Sequence, residues 1–333
     1  MARAVVAAAL ILAACTTAPS DRQIAAPPLP LRPVTEIGLP GDDSRFDYAS
    51  LDAPRGLLFI AHLGASEVIE VDVRAGRVVR TIPNISQVHG VLVVAPLGRV
   101  YATATGTNQV VAIDESTGEV LGQASTGQYP DGLAYDPRRN AIWTTNETAG
   151  TETIVDAATL QPRGSVELGG QVGNVGYDQD SDRMLVAVQG NDDLAVIDPA
   201  ALTIVRRVVL PGCEHPHGLA IDGPDRWAFV ACDRNATLVT VDQSIWGVIG
   251  ANPVGEDPDV LAYDPAAHRL YVAAESGTLT TLDSHGHTVS VTGSAHLADG
   301  AHVVAVDPDT HRSYYPVPAG ANGHPALLQR EPR

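Results

Sequence analysis

One short phrase returns seven times along this chain, and no other feature limits the possible folds as strongly. The copies are Asp47-Tyr-Ala-Ser-Leu-Asp52, His89-Gly-Val-Leu-Val-Val94, Asp131-Gly-Leu-Ala-Tyr-Asp136, Gly173-Asn-Val-Gly-Tyr-Asp178, His217-Gly-Leu-Ala-Ile-Asp222, Asp259-Val-Leu-Ala-Tyr-Asp264 and His302-Val-Val-Ala-Val-Asp307. Consecutive copies start about 42 to 44 residues apart, the period of a repeat built from four short strands. A single unit of that size cannot bury its own apolar faces. Packing such units face to face around an axis buries them, which predicts an all-β chain folded as a β-propeller with one blade per copy.

The third copy shows how a unit becomes a blade. Gly132 to Asp136 is an apolar run, Pro137 to Asn140 a polar turn, and Ala141 to Thr145 a second run. Thr153 to Asp156 and Gly164 to Leu168 complete a four-stranded antiparallel sheet, because apolar alternation and turn formers change over at each junction. An Asp recurs at the end of the third strand as Asp72, Asp114, Asp156, Asp198, Asp242 and Asp283. It precedes a turn each time, so its role is to bond the amides that follow.

The last copy lacks one strand. After His302 to Asp307 and Ser313 to Val317, the tail holds one further strand near Ala326 to Gln329. Val34 to Ile37 is the unused strand at the other end of the domain. Its insertion into the last blade closes the circle and covers a sheet edge that would otherwise invite aggregation. The expected domain is a single seven-bladed propeller over residues 34–333, with enough chain for a large core.

Two segments precede that domain. In residues 1–15, Arg3 leads an apolar stretch from Ala4 to Leu12 that is too short to span a membrane. It ends in Leu12-Ala13-Ala14-Cys15, which resembles the lipobox of a bacterial lipoprotein signal. That resemblance implies acylation of Cys15 and a periplasmic or cell-surface protein. Thr16 in place of an Asp after the cysteine implies the outer membrane in a Gram-negative cell. Residues 16–33 carry Pro19, Pro27, Pro28, Pro30 and Pro33 and read as a semi-extended tether. Membrane attachment is expected through this anchor alone.

The net charge of −18 argues against nucleic acid as a partner, since that surface must neutralise phosphates. It favours a metal ion or another cation.

Strand direction sorts the histidines by face. His62, His89, His215, His217, His296 and His302 fall on the face where inner strands begin. His268, His285, His287 and His311 fall in turns on the opposite face, and His324 lies in the tail. The leading residues of the seven phrases meet there as a ring, in the order Asp47, His89, Asp131, Gly173, His217, Asp259, His302. Imidazole and carboxylate are ligands for zinc, iron, manganese or copper. The ring therefore predicts a metal set of His89, His217 and His302 with Asp47, and ligand contacts from His62, His215 and His296. Asp131 and Asp259 are the candidate catalytic bases, and Gly173 leaves one side of the ring open for a ligand. The same residues also read as a solvated channel lining.

Cys213 and Cys232 flank the start of one inner strand and the end of its partner. They read either as a disulfide, the default outside the cytoplasm, or, with Glu214, His215 and His217, as a soft copper or zinc site.

Arg99-Val-Tyr101-Ala, Arg269-Leu-Tyr271-Val-Ala and the recurring Gly-Leu-Ala-Tyr-Asp-Pro phrases resemble the YVTN-repeat seven-bladed β-propeller family. Phe46-Asp47-Tyr48 with His62, His89-Gly90, Pro130-Asp131 and Cys213-Glu214 are similar to its secreted lipoprotein branch. Gly173 departs from that branch, which carries a carboxylate there. The resemblance implies the fold and leaves activity open, since the family holds binding proteins, lactonase-like enzymes and electron-transfer domains.

Three functions follow as expectations. The first is binding of a metal or small ligand at the mouth. The second is a metal-dependent hydrolase or lyase of the lactonase kind. The third is a scaffold for a protein partner, with an inert channel. The anchor is directly testable: Cys15→Ala is expected to move the protein from the membrane fraction to the soluble fraction on fractionation. Retention in the membrane would refute lipidation.

Overall fold

The computed structural model describes residues 26–286 and 288–333. Cys15 and most of the tether lie outside the described residues, as does His287. The chain forms seven four-stranded antiparallel sheets arranged as the blades of a β-propeller. Blade three comprises Pro130–Asp136, Ala141–Asn146, Thr151–Asp156 and Pro162–Glu167, close to the strands predicted for it. Among the described residues no helix is long and apolar enough to cross a membrane.

Each blade buries both faces against its neighbours. Phe59, Ala61, Val68 and Ile82 of blade one pack with Val91, Val100, Ala102 and Val111 of blade two. Trp143, Ile154 and Val166 of blade three pack with Met184, Val186 and Ile197 of blade four. Such a buried side chain contributes about 1.5–3 kcal/mol, so the interfaces between blades carry the fold. The recurrent third-strand Asp bonds the amides of the turn that follows it in most blades, whereas Asp283 lies inside a longer strand, Thr278–His285, and accepts from Arg269 instead. Asp114 Oδ1 accepts from the amides of Ser116 and Thr117 at 3.0 and 2.9 Å, and Asp156 Oδ1 does the same with Ala158 and Thr159.

The last blade is closed by the N-terminal strand. Leu31–Gly38 pairs antiparallel with Ala326–Pro332, which pairs with Arg312–Val317, and Ala305–Asp307 lies innermost. The register slips between Pro33 and Thr35, as expected where a proline offers no ladder donor. The strand starts at Leu31, ahead of Val34. Leu31 is only 2% exposed, and the Ser294 amide of blade six donates to Pro27 at 2.8 Å. The end of the proline-rich segment is thus fastened to the propeller.

Truncation through Gly38 is expected to lower the melting temperature and broaden the transition. Losing the buried side chains of Leu31 and Ile37 alone costs about 3–6 kcal/mol. Calorimetry of the truncated and full chains measures this, and an unchanged transition would count against closure by this strand.

Candidate functional site

The inner strands deliver the ring residues by a shared distortion. In four blades the pairing slips at the ring residue and its successor: His89-Gly90, Asp131-Gly132, His217-Gly218 and Asp259-Val260. Such bulges re-aim a side chain and strengthen local twist. Two residues before each bulged ring residue the chain turns through a left-handed conformation, at Gln87, Tyr129, His215 and Asp257. None of these is glycine, so each costs about 1–2 kcal/mol. All four side chains line the cavity that the turns surround.

That cavity has a volume of about 540 Å³ and lies on the mouth of the propeller. Asp47, His89, Asp131, His217 and Asp259 of the ring line it. Above them stand Leu63, Glu147, Gln189, Asp233 and Glu275, each just past the end of a second strand. Its floor is a hydrogen bond across the axis, from the Tyr48 hydroxyl of blade one to Asn174 Oδ1 of blade four at 2.5 Å. A second cavity of about 300 Å³ lies beyond, lined by the same two residues and by Ser50, Val91, Leu133 and Val175. The mouth is therefore a cup with a polar floor.

The cup is acidic. Seven carboxylates line it against one guanidinium, that of Arg45. Burial, then the charge of Asp259, pushes the Asp47 carboxyl up. Burial, then Asp47, holds Asp131 well above the usual carboxylate range. Burial also opposes charge on Asp259, but the hydrogen bond and charge of His217, with Arg45, outweigh it and hold that carboxyl low. Burial likewise opposes a charged His217, yet Asp259, with Nε2 to Oδ1 at 3.1 Å, pushes it up to about 10. Asp259 and His217 thus form an ion pair within the ring, and the Arg45 guanidinium sits 3.2 Å from Asp47.

The ring histidines have distinct tasks. His302 is 2% exposed. Its Nδ1–H donates to the Gly300 carbonyl at 3.0 Å, which leaves the Nε2 lone pair free. That Nε2 has no hydrogen-bond partner and lies 3.9 Å from Asp259 Oδ2. His89 follows the same rule: Nδ1–H donates to the Gln87 carbonyl, and Nε2 accepts from the Tyr129 hydroxyl at 3.1 Å. His217 is held between Asp259 and the Gln189 amide.

Among the described residues two Asp/His groups place their ligand atoms within 4.8 Å of one another and could hold a metal ion. One is Asp47, Asp259 and His302, all buried in the ring. The other is Asp222, Asp225 and His268 on the opposite face, with Asp225 and His268 exposed. The expected set of three histidines is not assembled as one such group, and His89 and His217 are bonded to Tyr129 and to Asp259 and Gln189 instead. The structure instead groups two carboxylates with one imidazole.

Other expectations are also revised. His62 is fully buried outside the cavity, stacked on Phe46 with ring centroids 4.3 Å apart and bonded to Ser44 and Glu67. His296 is exposed beside Asp299 and does not line the cup. His215 reaches the rim, where Asp233 holds its Nδ1 at 2.7 Å. Cys213 and Cys232 are joined in a disulfide, with Cα atoms 5.3 Å apart, so neither offers a thiolate to copper or zinc. Gly173 is not an open side of the ring. A Cβ there would lie 2.7 Å from the His217 backbone, and the Asn174 amide donates to the His217 carbonyl at 2.9 Å.

Arg45, Tyr129, Glu147 and Glu275 were not singled out in the sequence. The signal for the carboxylates was present. Glu147, Gln189, Asp233 and Glu275 recur with the blade period at the second-strand end, and strand direction places that end on the mouth face. Arg45 stands two residues before Asp47, the place that Gln87, Tyr129, His215 and Asp257 hold in their blades, and it alone of these five carries a guanidinium.

No protein-family model matches the sequence, and no curated protein matches it. Solved structures share the fold. The chain superposes on a Streptogramin B lyase with a TM-score of 0.74 at 13% identity, covering 91% of this chain and 97% of that one. It superposes on Kuenenia stuttgartiensis hydrazine synthase with a TM-score of 0.73 at 14% identity, covering 81% and 92%. At such identities the likeness shows the fold alone.

Gly173→Ala is expected to destabilise the protein by about 1–3 kcal/mol, because the new methyl overlaps backbone that cannot retreat. Thermal denaturation measures the loss. A wild-type melting temperature would mean that the blades can separate at this point.

Proposed function

We propose that this propeller binds a divalent transition metal at Asp47, Asp259 and His302, in the acidic cup at its mouth. One observation carries the reading: the buried, unpartnered Nε2 of His302 faces two carboxylates, with its tautomer set by the Gly300 carbonyl. A buried polar atom without a partner costs about 1–3 kcal/mol, and a cation there removes that cost. One imidazole and two carboxylate oxygens suit zinc, iron or manganese better than a thiolate-seeking metal. The Gly300 carbonyl then serves as the outer partner that fixes the ring.

The setting is extracytoplasmic, with the propeller tethered through Cys15. The lipobox-like Leu12-Ala13-Ala14-Cys15, the similarity to the secreted YVTN-repeat branch and the Cys213–Cys232 disulfide support this placement.

A second reading makes the cup a lyase or hydrolase centre. Asp131 favours it. Burial and the charge of Asp47 push this carboxyl well above the usual carboxylate range, the direction that suits a general acid in the same cavity. Asp259, tied up with His217, fits ligand or orienting duty better than base. A lyase also stands among the structural neighbours. A bound metal would supply carbonyl polarisation, and Asp131 would hold or deliver a proton at its Oδ1, which has no partner. A protein scaffold with an inert cup is the remaining alternative.

The test is elemental analysis of the full chain purified without added metal, followed by melting with added zinc or manganese. Binding is expected to stabilise the fold by about 2.7 kcal/mol at a free metal concentration of about 100 times Kd. His302→Ala and Asp259→Asn are expected to abolish that shift. Protein that carries no metal and melts unchanged in its presence would sink the metal reading and favour the scaffold.

A further inference from the structure

Arg45 stands where a metal would have to compensate charge. Its Nε donates to Asp47 Oδ2 at 3.2 Å, and its Nη2 lies 3.6 Å from Asp259 Oδ2. These are two of the three residues that can hold the ion. The other oxygen of Asp259 is taken by His217. A dication joining Asp47 Oδ2 and Asp259 Oδ2 would thus meet a guanidinium bonded to the first and 3.6 Å from the second, and like charges at such separation repel strongly away from bulk water.

The two ends of Arg45 are held unequally. Its carbonyl accepts from the Gly64 amide at 3.2 Å, and the following residues are pinned by the Phe46–His62 stack and by Asp47 N to the Ala61 carbonyl at 2.9 Å. Its side chain is 42% exposed, whereas those of Asp47 and Asp259 are 3% and 10% exposed. The guanidinium can therefore leave by side-chain rotation alone. Glu275 at the rim, 30% exposed, already bonds its Nη1 and offers a place to stay.

We propose that Arg45 is an exchangeable counter-ion of this site. It neutralises Asp47 and Asp259 when no metal is bound, and a divalent cation displaces it toward Glu275. This rests on the metal reading above and adds its regulation. The arginine sets a threshold, since only a cation that outcompetes a guanidinium enters. It also gives Asp47 a positive charge in the metal-free fold, where His217 pairs only with the other oxygen of Asp259.

The sign of one substitution tests this. Arg45→Met keeps the aliphatic stem and removes the charge. The probe is zinc chloride alone, titrated by calorimetry into the demetallated full chain. Removal of the competing cation is expected to tighten zinc binding by about tenfold or more. The metal-free variant is expected to melt below the wild type, with the gap closing as zinc is added. Arg45→Gln, which retains hydrogen-bond donors without charge, is expected to change affinity in the same direction and serves if the methionine variant does not fold. Wild-type binding with equal or weaker binding by both variants overturns the exchange and makes Arg45 a supporting residue of the site. Absence of zinc binding in all three proteins overturns the metal reading itself, and this inference with it.

Discussion

The pairing of Leu31–Gly38 with Ala326–Pro332 is the contact on which everything else rests. Seven twisted sheets surround an axis only if the circle closes, and here strands from opposite ends of the chain close it. Once it is closed, the inner strands are forced together at the axis. A Cβ at Gly218 would lie 2.1 Å from the Asp259 carbonyl, and one at Gly173 would meet His217. That crowding brings side chains from separate blades within ligand distance, with no local motif in the sequence.

The crowding has an electrostatic consequence. Carboxylates from blades one, three and six share one partly buried space. Their charges cannot all persist there without compensation. The protein meets this in three ways. His217 pairs with Asp259, burial and Asp47 push the Asp131 carboxyl toward its neutral form, and Arg45 reaches in from a loop. His302 receives no such partner at Nε2, which is why the metal reading centres on it. The left-handed residues before four ring positions are a further cost, of the kind that collects at functional sites.

Much of this was legible beforehand. The repeat predicted seven blades, the tail predicted a missing strand, and strand direction placed His89, Asp131, His217 and Asp259 together at the mouth, though it also sent His62 and His296 there. The bulge pattern was half visible, since a glycine follows the ring residue at 90, 132 and 218. Arg45 was not legible, because its place two residues before the ring residue recurs without a shared side chain, as Gln87, Tyr129, His215 and Asp257 show. Nor was the engagement of His89 by Tyr129, which depends on a left-handed residue whose side chain could not be aimed from sequence. Gly173 was misread for a related reason. A missing side chain looks like a gap in a list of residues, whereas in the folded ring the neighbouring backbone fills that place.

The sequence by itself determined the blades, their number and the leading residues that the inner strands carry toward the axis, because strand alternation and a fixed period are local properties that survive translation into space. Only the tertiary structure decided which of those residues touch. Contacts across a ring depend on bulges, on the twist of each sheet and on how closely the backbones approach. For that reason the candidate set of three histidines became Asp47, Asp259 and His302, with an arginine beside them.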